Sequence, residues 1–329
     1  MDHFAKPEIP PKAQKYYDKV KDVIKYCMYD QPYDGGDVIW LLGEKTDLID
    51  VFNDYNIPEK YHDVIAANMV CQGCGHDDFE LYSDVCTESR IDLEIQAKIA
   101  DADKKYKKKI DELLNFITAY PSLVVNNPLA KRIHKEIMGN TLPVYKIDSA
   151  RFFRGRLVRG SDVFTSEHLG APTIGIANVG RYNHAGQSVL YLSESEEGSI
   201  TEVLGDDSIK ALIWMQEYVV TDVTNILDLT MDWDKYYSLD SILFTALLNN
   251  AVLERKTTSG STWKPEYLLT NFVADTAKLA GYSGIRYNSS VGWHPNIVLF
   301  DPKQSDVTPN GNPRVIIYEP KRDDDLFDF

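Results

Sequence analysis

The chain has 329 residues, 43% of them apolar and 26% charged. These are ordinary proportions for a folded protein, and the length allows one large domain or two ordinary ones, of which two is the expectation. The formal net charge of -15 is spread over both halves, with 18 Lys and Arg against 25 Asp and Glu in residues 1–140 and 17 against 25 afterwards. Neither half therefore has the basic footprint that non-specific nucleic-acid binding needs. No apolar run approaches the roughly 20 residues of a membrane-spanning helix, and the polar stretch Met1–Pro7 does not read as a signal peptide. All four cysteines, Cys27, Cys71, Cys74 and Cys86, fall in the first third, which argues against a secreted disulfide scaffold. A cytoplasmic protein without membrane contact is the expectation.

Tyr16, Val20, Val23, Ile24 and Cys27 recur at helical spacing and predict an amphipathic helix over residues 12–28. Pro32 and the paired Gly35-Gly36 break it. A second helix, or two short ones divided by Pro58, is expected from Leu48 to Tyr61. Leu93, Ile95, Ile99, Ala102, Tyr106, Ile110, Leu113, Leu114 and Ile117 then place one long helix over residues 91–119. Its outer face carries Lys104, Lys105, Lys107, Lys108 and Lys109, offset by Asp101, Asp103, Asp111 and Glu112, so the run reads as a solvated face rather than a nucleic-acid contact. A short helix over 129–137 follows. The segment Gly139-Asn140-Thr141-Leu142-Pro143 is the expected linker between a mainly helical N-terminal domain, 1–140, with a regulatory or zinc-binding role, and a second domain, 141–320, trailed by an acidic tail at 321–329. In the second domain the pattern shortens to strands at 144–147, 151–158, 187–193, 209–214, 218–223, 226–229, 285–287, 297–300 and 314–318, with helices at 199–204, 238–253 and 267–280.

Three groups of residues could carry chemistry. Cys71-Gln72-Gly73-Cys74-Gly75-His76 is a CxxC turn that brings two thiols to one point, and His76 and Cys86 could complete a structural zinc site. A second close pair is missing, so reduced cysteines packed in a loop remain the competing reading. Arg151, Arg154, Arg156 and Arg159 cluster on one predicted strand, with Arg181 downstream. Arg154, Arg156 and Arg181 offer planar forks suited to phosphate oxygens, although arginines beside a strand also pair with surface carboxylates. Tyr191 can stack on a flat heterocycle or fill the core. Glu202 can serve a sugar or simply favour the start of its predicted helix.

The ordered segments Arg181-Tyr182-Asn183-His184-Ala185-Gly186, Val189-Leu190-Tyr191-Leu192-Ser193, Thr201-Glu202-Val203, Gly281-Tyr282-Ser283-Gly284-Ile285-Arg286-Tyr287-Asn288-Ser289-Ser290 and Asn296-Ile297-Val298-Leu299-Phe300 resemble the RES-domain family, named for its arginine, glutamate and serine. Phe153-Arg154-Gly155-Arg156 is similar to the family's opening strand, and the resemblance runs from about Tyr145 to Pro302. Where the family often has tryptophan or alanine after its arginine this chain has Tyr182, and Asn288 stands in place of a proline; neither change removes a functional group. The resemblance implies an α+β protein, a mixed-sheet domain similar in fold to ADP-ribosyltransferase toxins, preceded by the helical extension. It implies a toxin of a toxin-antitoxin system that degrades NAD by cleaving the bond from nicotinamide to ribose, with water or phosphate as acceptor. By that resemblance Arg181, seconded by Arg154, takes the pyrophosphate. Tyr191 packs on the nicotinamide side, Glu202 holds the ribose and stabilises developing positive charge, Ser289 hydrogen-bonds the amide or ribose, and Arg156, Tyr182 and Ser290 are further substrate-binding positions. The expected partners are NAD and an antitoxin or regulatory protein, with structural zinc left open beside the reading of reduced cysteines packed in a loop. Two alternatives stay open: transfer of ADP-ribose to a protein, and a non-catalytic or RNA-directed module acting through the N-terminal helices.

Overall fold

The computed structural model describes residues 6–158, 160–161, 163–205, 210–230, 241–248, 252–253, 255–256, 263–292, 294–302 and 306–320, which form two units, Met1–Ala100 and Asp101–Phe329. Arg159, the tail 321–329 and residues 238–240 and 249–251 of the helix expected at 238–253 lie outside the described residues. The division comes earlier than the 139–143 linker for a packing reason. Ala102, Tyr106, Ile110, Leu113 and Ile117 of the long helix share one core with Ile133, Ile137, Leu227, Phe272 and Val273.

The first unit is assembled from short pieces. Helix α1 (Pro11–Val20) starts at a proline, whose missing N–H costs nothing in a first turn, and stops well before the predicted residue 28. Beyond it β1 (Tyr26–Cys27) is extended, and β2 (Tyr33–Asp34) and β3 (Asp37–Val38) form a hairpin. Gly35 and Gly36 join them with φ of 60° and 99°, the left-handed pair that a two-residue hairpin loop demands. Strand β4 (Thr46–Asp47) leads into α2 (Leu48–Asp54), and a 3-10 turn after Pro58 leads into α3 (His62–Ala66). Strand β5 (Asp84–Cys86) lies between β1 and β4, which is what takes Tyr26 and Cys27 out of the expected helix. Val20, Ile24, Leu48, Phe52, Ile65, Met69 and Val85 form the core beneath. Helix α4 (Arg90–Ala119) matches the long periodic stripe.

In the second unit α5 (Pro128–Met138) is capped by Asn127, whose Oδ1 accepts from Leu129 N at 2.9 Å and Ala130 N at 3.3 Å. The two strands expected at 144–147 and 151–158 are one, β6 (Val144–Leu157), with an irregularity between Tyr145 and Ile147. Helix α6 (Ser166–Leu169), strand β7 (Val189–Ser193) and helix α7 (Glu196–Leu204) follow. The described part of the three expected strands between 209 and 229 is likewise continuous, as β8 (Ala211–Asp228). Asp222, at φ 57°, shifts the buried alternation between Val220 and Val223, and the register against β6 slips between Val223 and Ile226, where the last of the expected breaks lies. After a π-helical turn at Leu243–Leu248 come α8 (Leu268–Leu279), β9 (Gly284–Asn288), β10 (Pro295–Phe300), β11 (Val307–Pro309) and β12 (Arg314–Tyr318).

These strands build a mixed sheet of order β11-β8-β6-β7-β10-β9, with β12 also on β8. The end of β8 pairs with β9 in parallel, whereas the other ladders are antiparallel. Strands β6 and β8 pair along nearly their whole length, yet β6 and β7 meet only at Phe153 and Ser193 among the described residues. The sheet is almost split at that pair.

Candidate active site

A cleft of about 530 Å³ opens at the split, within the second unit. Phe153, Arg154 and Gly155 line it from β6, and Tyr191, Leu192 and Ser193 from β7. Ser199, Glu202 and Val203 of α7 form another wall, with Gly180, Arg181, Tyr267, Tyr287, Ser290 and Asn296 completing most of the rest.

Arg181 is held by neutral acceptors. Its Nη1 donates to Leu253 O at 2.7 Å, and its Nη2 donates to Ser290 Oγ at 2.8 Å and Arg255 O at 3.2 Å. The guanidinium also lies 5.5 Å from the centre of the Tyr267 ring. Arg154, on β6, donates from Nη1 to Gly170 O at 2.9 Å. Burial, then the neighbouring charge of Arg156, lower its pKa to about 10, the direction expected of a cation in need of an anion. Among the described residues neither guanidinium forms an ion pair with a carboxylate. The competing reading of the cluster holds elsewhere: Arg151 pairs with Glu217 at 3.4 Å, and Arg286 with Glu194 at 2.6 Å and Asp228 at 3.3 Å.

Glu202 sits on α7, which begins earlier than predicted because Ser195 caps it, accepting from Gly198 N at 2.9 Å. The carboxylate therefore lies towards the C-terminal end of its helix, where the helix dipole does not favour it, and the capping explanation for Glu202 falls away. Its Oε1 accepts from Asn296 Nδ2 at 2.7 Å, with His294 Nε2 at 3.7 Å. The side chain keeps 41% exposure and so remains open to a ligand. Helix α7 can come this near because of Gly198: a Cβ there would meet Ser193 Oγ at 2.4 Å and the His294 ring at 2.6 Å.

The remaining expected residues divide. The Tyr191 hydroxyl accepts from Tyr182 N at 2.8 Å and donates to Asn183 Oδ1 at 3.0 Å, and burial pushes its pKa up, so it stays a neutral phenol that ties β7 to the loop at 180–183. Tyr182 is fully buried, its ring 4.8 Å from that of Tyr287, and it is not part of the cleft wall. Ser289 is also fully buried; its Oγ accepts from Val291 N at 3.1 Å and shapes the turn, while Ser290 lines the cleft. Arg156 packs over Phe164 at 5.7 Å and is likewise outside the lining.

Of the lining residues that the sequence did not mark as part of a site, Ser193 and Asn296 form the floor. Ser193 and Asn296 are cross-strand partners, each 3% exposed, and Ser193 Oγ and Asn296 Oδ1 have no hydrogen-bond partner among the described residues. A buried polar atom left unpaired costs about 1–3 kcal/mol, so these atoms mark a floor that suits a ligand with hydroxyl or amide groups. A polar residue opening the apolar run of β10 was the available signal for Asn296.

In the first unit the expected metal quartet of Cys71, Cys74, Cys86 and His76 does not assemble. Cys27, Asp30, Cys71 and Cys74 instead place ligand atoms within 4.8 Å of one another. The His76 ring stacks on Tyr29 at 4.2 Å with Nε2 2.8 Å from Asp78 O, and Cys86 Sγ accepts from Glu88 N at 3.3 Å. His76 is close to Cys74 in sequence, but the turn carries its ring away from the thiols.

A family model described as RES domain matches residues 156–318. Among solved structures, the chain is similar to a crystal structure of the M. tuberculosis MbcT-MbcA toxin-antitoxin complex, with 13% identity and a TM-score of 0.35 over 58% of this chain and 93% of that one. It is also similar to a crystal structure of an anti-CRISPR protein, with 14% identity and a TM-score of 0.23 over 54% of this chain and 99% of that one. No curated protein matches the chain.

Proposed function

We propose, starting from the membership of this chain in the RES-domain family through residues 156–318, that it is an NAD-degrading enzyme and acts as a toxin. The observation that carries this reading is the combination in one cleft of Glu202, anchored by Asn296 but open to ligand, with two arginines that have no carboxylate partner among the described residues. Arg181 and Arg154 take the pyrophosphate, whose charge replaces the anion they lack. Ser193 and Asn296 offer polar atoms to the ribose or the nicotinamide amide. As the bond from ribose C1′ to the nicotinamide nitrogen breaks, its electron pair leaves with the neutral base and positive charge grows on the sugar. Glu202 stabilises that charge, and water or phosphate then adds to C1′. Ser289 acts one step away from the substrate, through the turn that presents Ser290 to Arg181. A toxin of this kind requires restraint by an antitoxin, and the cleft mouth is the surface that such a partner would cover.

Glu202→Gln tests the assignment. A charge placed where the transition state develops it contributes roughly 3–4 kcal/mol, so nicotinamide release from NAD should fall about a hundredfold or more with the melting temperature unchanged. NAD consumption by the variant equal to that of the wild type refutes the role of Glu202. Labelled ADP-ribose recovered on protein instead of free in solution would move the reading to transfer.

A further inference from the structure

We infer that Cys27, Asp30, Cys71 and Cys74 form a closed four-ligand zinc site that staples the first unit. The second close pair that the cysteines alone do not supply is present in altered form. Cys27-Met28-Tyr29-Asp30 has the spacing of Cys71-Gln72-Gly73-Cys74, with a carboxylate in the place of one thiol.

The two turns are built against each other. Met28–Asp30 is a 3-10 turn directly after β1, and Asp30 Oδ2 accepts from Cys27 N at 2.8 Å and from Cys71 Sγ at 3.0 Å. In the facing turn, Gly75 at φ 78° allows its N–H to donate to Cys71 O at 2.9 Å, while Cys71 N donates to His76 O at 2.8 Å. Gln72 N donates to Ile24 O at 2.9 Å and links the two segments. Gly73 leaves no room for a side chain: a Cβ there would lie 2.5 Å from Asp30 Oδ1 and 2.8 Å from Lys25 O. The close approach thus sets the Asp30 carboxylate among the thiols.

The spacing suits a shared ion. Zn–S bonds of about 2.3 Å and Zn–O bonds of about 2.1 Å in a tetrahedron put sulfurs about 3.8 Å apart and sulfur about 3.6 Å from oxygen. Cys27 Sγ and Cys74 Sγ are 3.6 Å apart, Asp30 Oδ2 and Cys71 Sγ 3.0 Å, and the whole set lies within 4.8 Å. A disulfide would need about 2.05 Å. Binding releases the thiol protons to solvent, and the divalent cation takes their place among four anionic donors. Three sulfurs favour zinc over the hard cations, and four protein ligands leave no open position, which makes the site structural. The need is plain in the strands, which are two residues long in β1 and β4 and three in β5. A unit with so little sheet gains from a metal clip between distant turns.

Metal analysis of the full chain purified under reducing conditions tests this. About one zinc per chain is expected, and cobalt added to the metal-free protein should give the intense thiolate charge-transfer absorption of a tetrahedral site. Cys71→Ser and Asp30→Ala should lose most of the metal. Asp30→Cys should retain it, and so should His76→Ala and Cys86→Ser. Folded wild type that takes up neither zinc nor cobalt overturns the proposal, as does a Cys27–Cys74 disulfide in that protein, or loss of metal from His76→Ala or Cys86→Ser. If Cys71→Ser fails to fold, cobalt uptake by the wild type and metal retention by Asp30→Cys still decide the matter.

Discussion

The two units place their chemistry on different kinds of support. In the first, helices of 10, 7 and 5 residues and strands of two or three are held around Phe52 and its neighbours, and the reactive side chains sit on tight turns. In the second, β6 and β8, of 14 and 18 residues, pair from Val144 and Leu227 to Leu157 and Ile213, and the candidate residues project from the place where that long ladder parts from β7. A turn can be closed by an ion, because its ligands are near in space already. A split sheet needs a large core to hold its edges in position, and the second unit recruits helices for that purpose.

The largest effect should therefore come from removing those helices. Deleting residues 1–100 leaves the core of the second unit intact and should preserve cooperative unfolding and nicotinamide release. Deleting residues 1–140 removes Ile110, Leu113, Ile117, Leu129, Ile133 and Ile137, all buried. Truncating even one such side chain to alanine costs about 2–5 kcal/mol, against a total stability of about 5–15 kcal/mol for a domain, so this longer deletion should not fold. Equal solubility and equal melting of the two truncated chains would remove the distinction between the two units.

A smaller effect sharpens the contrast between binding and structural arginines. Arg181→Gln removes a charged donor from the cleft, and the loss of about 1.5–3 kcal/mol should raise KM for NAD roughly tenfold to a hundredfold. Arg151→Gln should leave KM alone, since Arg151 is exposed and its partner is Glu217. If both substitutions moved KM alike, the arginines would be contributing a diffuse field rather than a site.

Local pattern carried much of this structure. The stripe from Leu93 to Ile117 marked α4 well, and the segments around Arg181, Glu202 and Asn296 marked the strands and the helix that wall the cleft. Periodicity says that a helix has a buried face without saying which core receives it, hence the division at residue 100 instead of near 140. The register shift between Val223 and Ile226 hid part of the continuity of β8, because alternation that changes phase reads as a break. Ser289 and Ser290 exchange places for a similar reason: they are adjacent in sequence, and only the backbone beyond β9 decides which one faces the cleft. Asp30 went unseen as a ligand because its relation to Cys71 arises from the docking of two turns far apart in the chain.

The smallest predicted effect concerns an ion pair beside the arginine stretch. His184 Nε2 and Asp275 Oδ2 are 2.8 Å apart, both about half exposed. The hydrogen bond that His184 donates to Asp275 raises the His184 pKa, against the opposing effect of burial. Burial works to raise the Asp275 pKa, but the hydrogen bond and charge of His184, with Lys278 and Gln187, outweigh it and hold the carboxyl below its usual value. The raised histidine stabilises the fold most below its unfolded pKa of about 6.5, and this contribution disappears as pH rises through the folded value. The lowered carboxyl contributes above its unfolded pKa, and that contribution disappears as pH falls through the folded value. The pair is thus at full strength near pH 5–6, where solvent screening limits it to roughly 0.2–1 kcal/mol. His184→Gln should melt slightly below the wild type at pH 5.5, with the gap narrowing at pH 9. A gap of the same size at both pH values would mean that the His184 ring contributes through packing, independent of its charge.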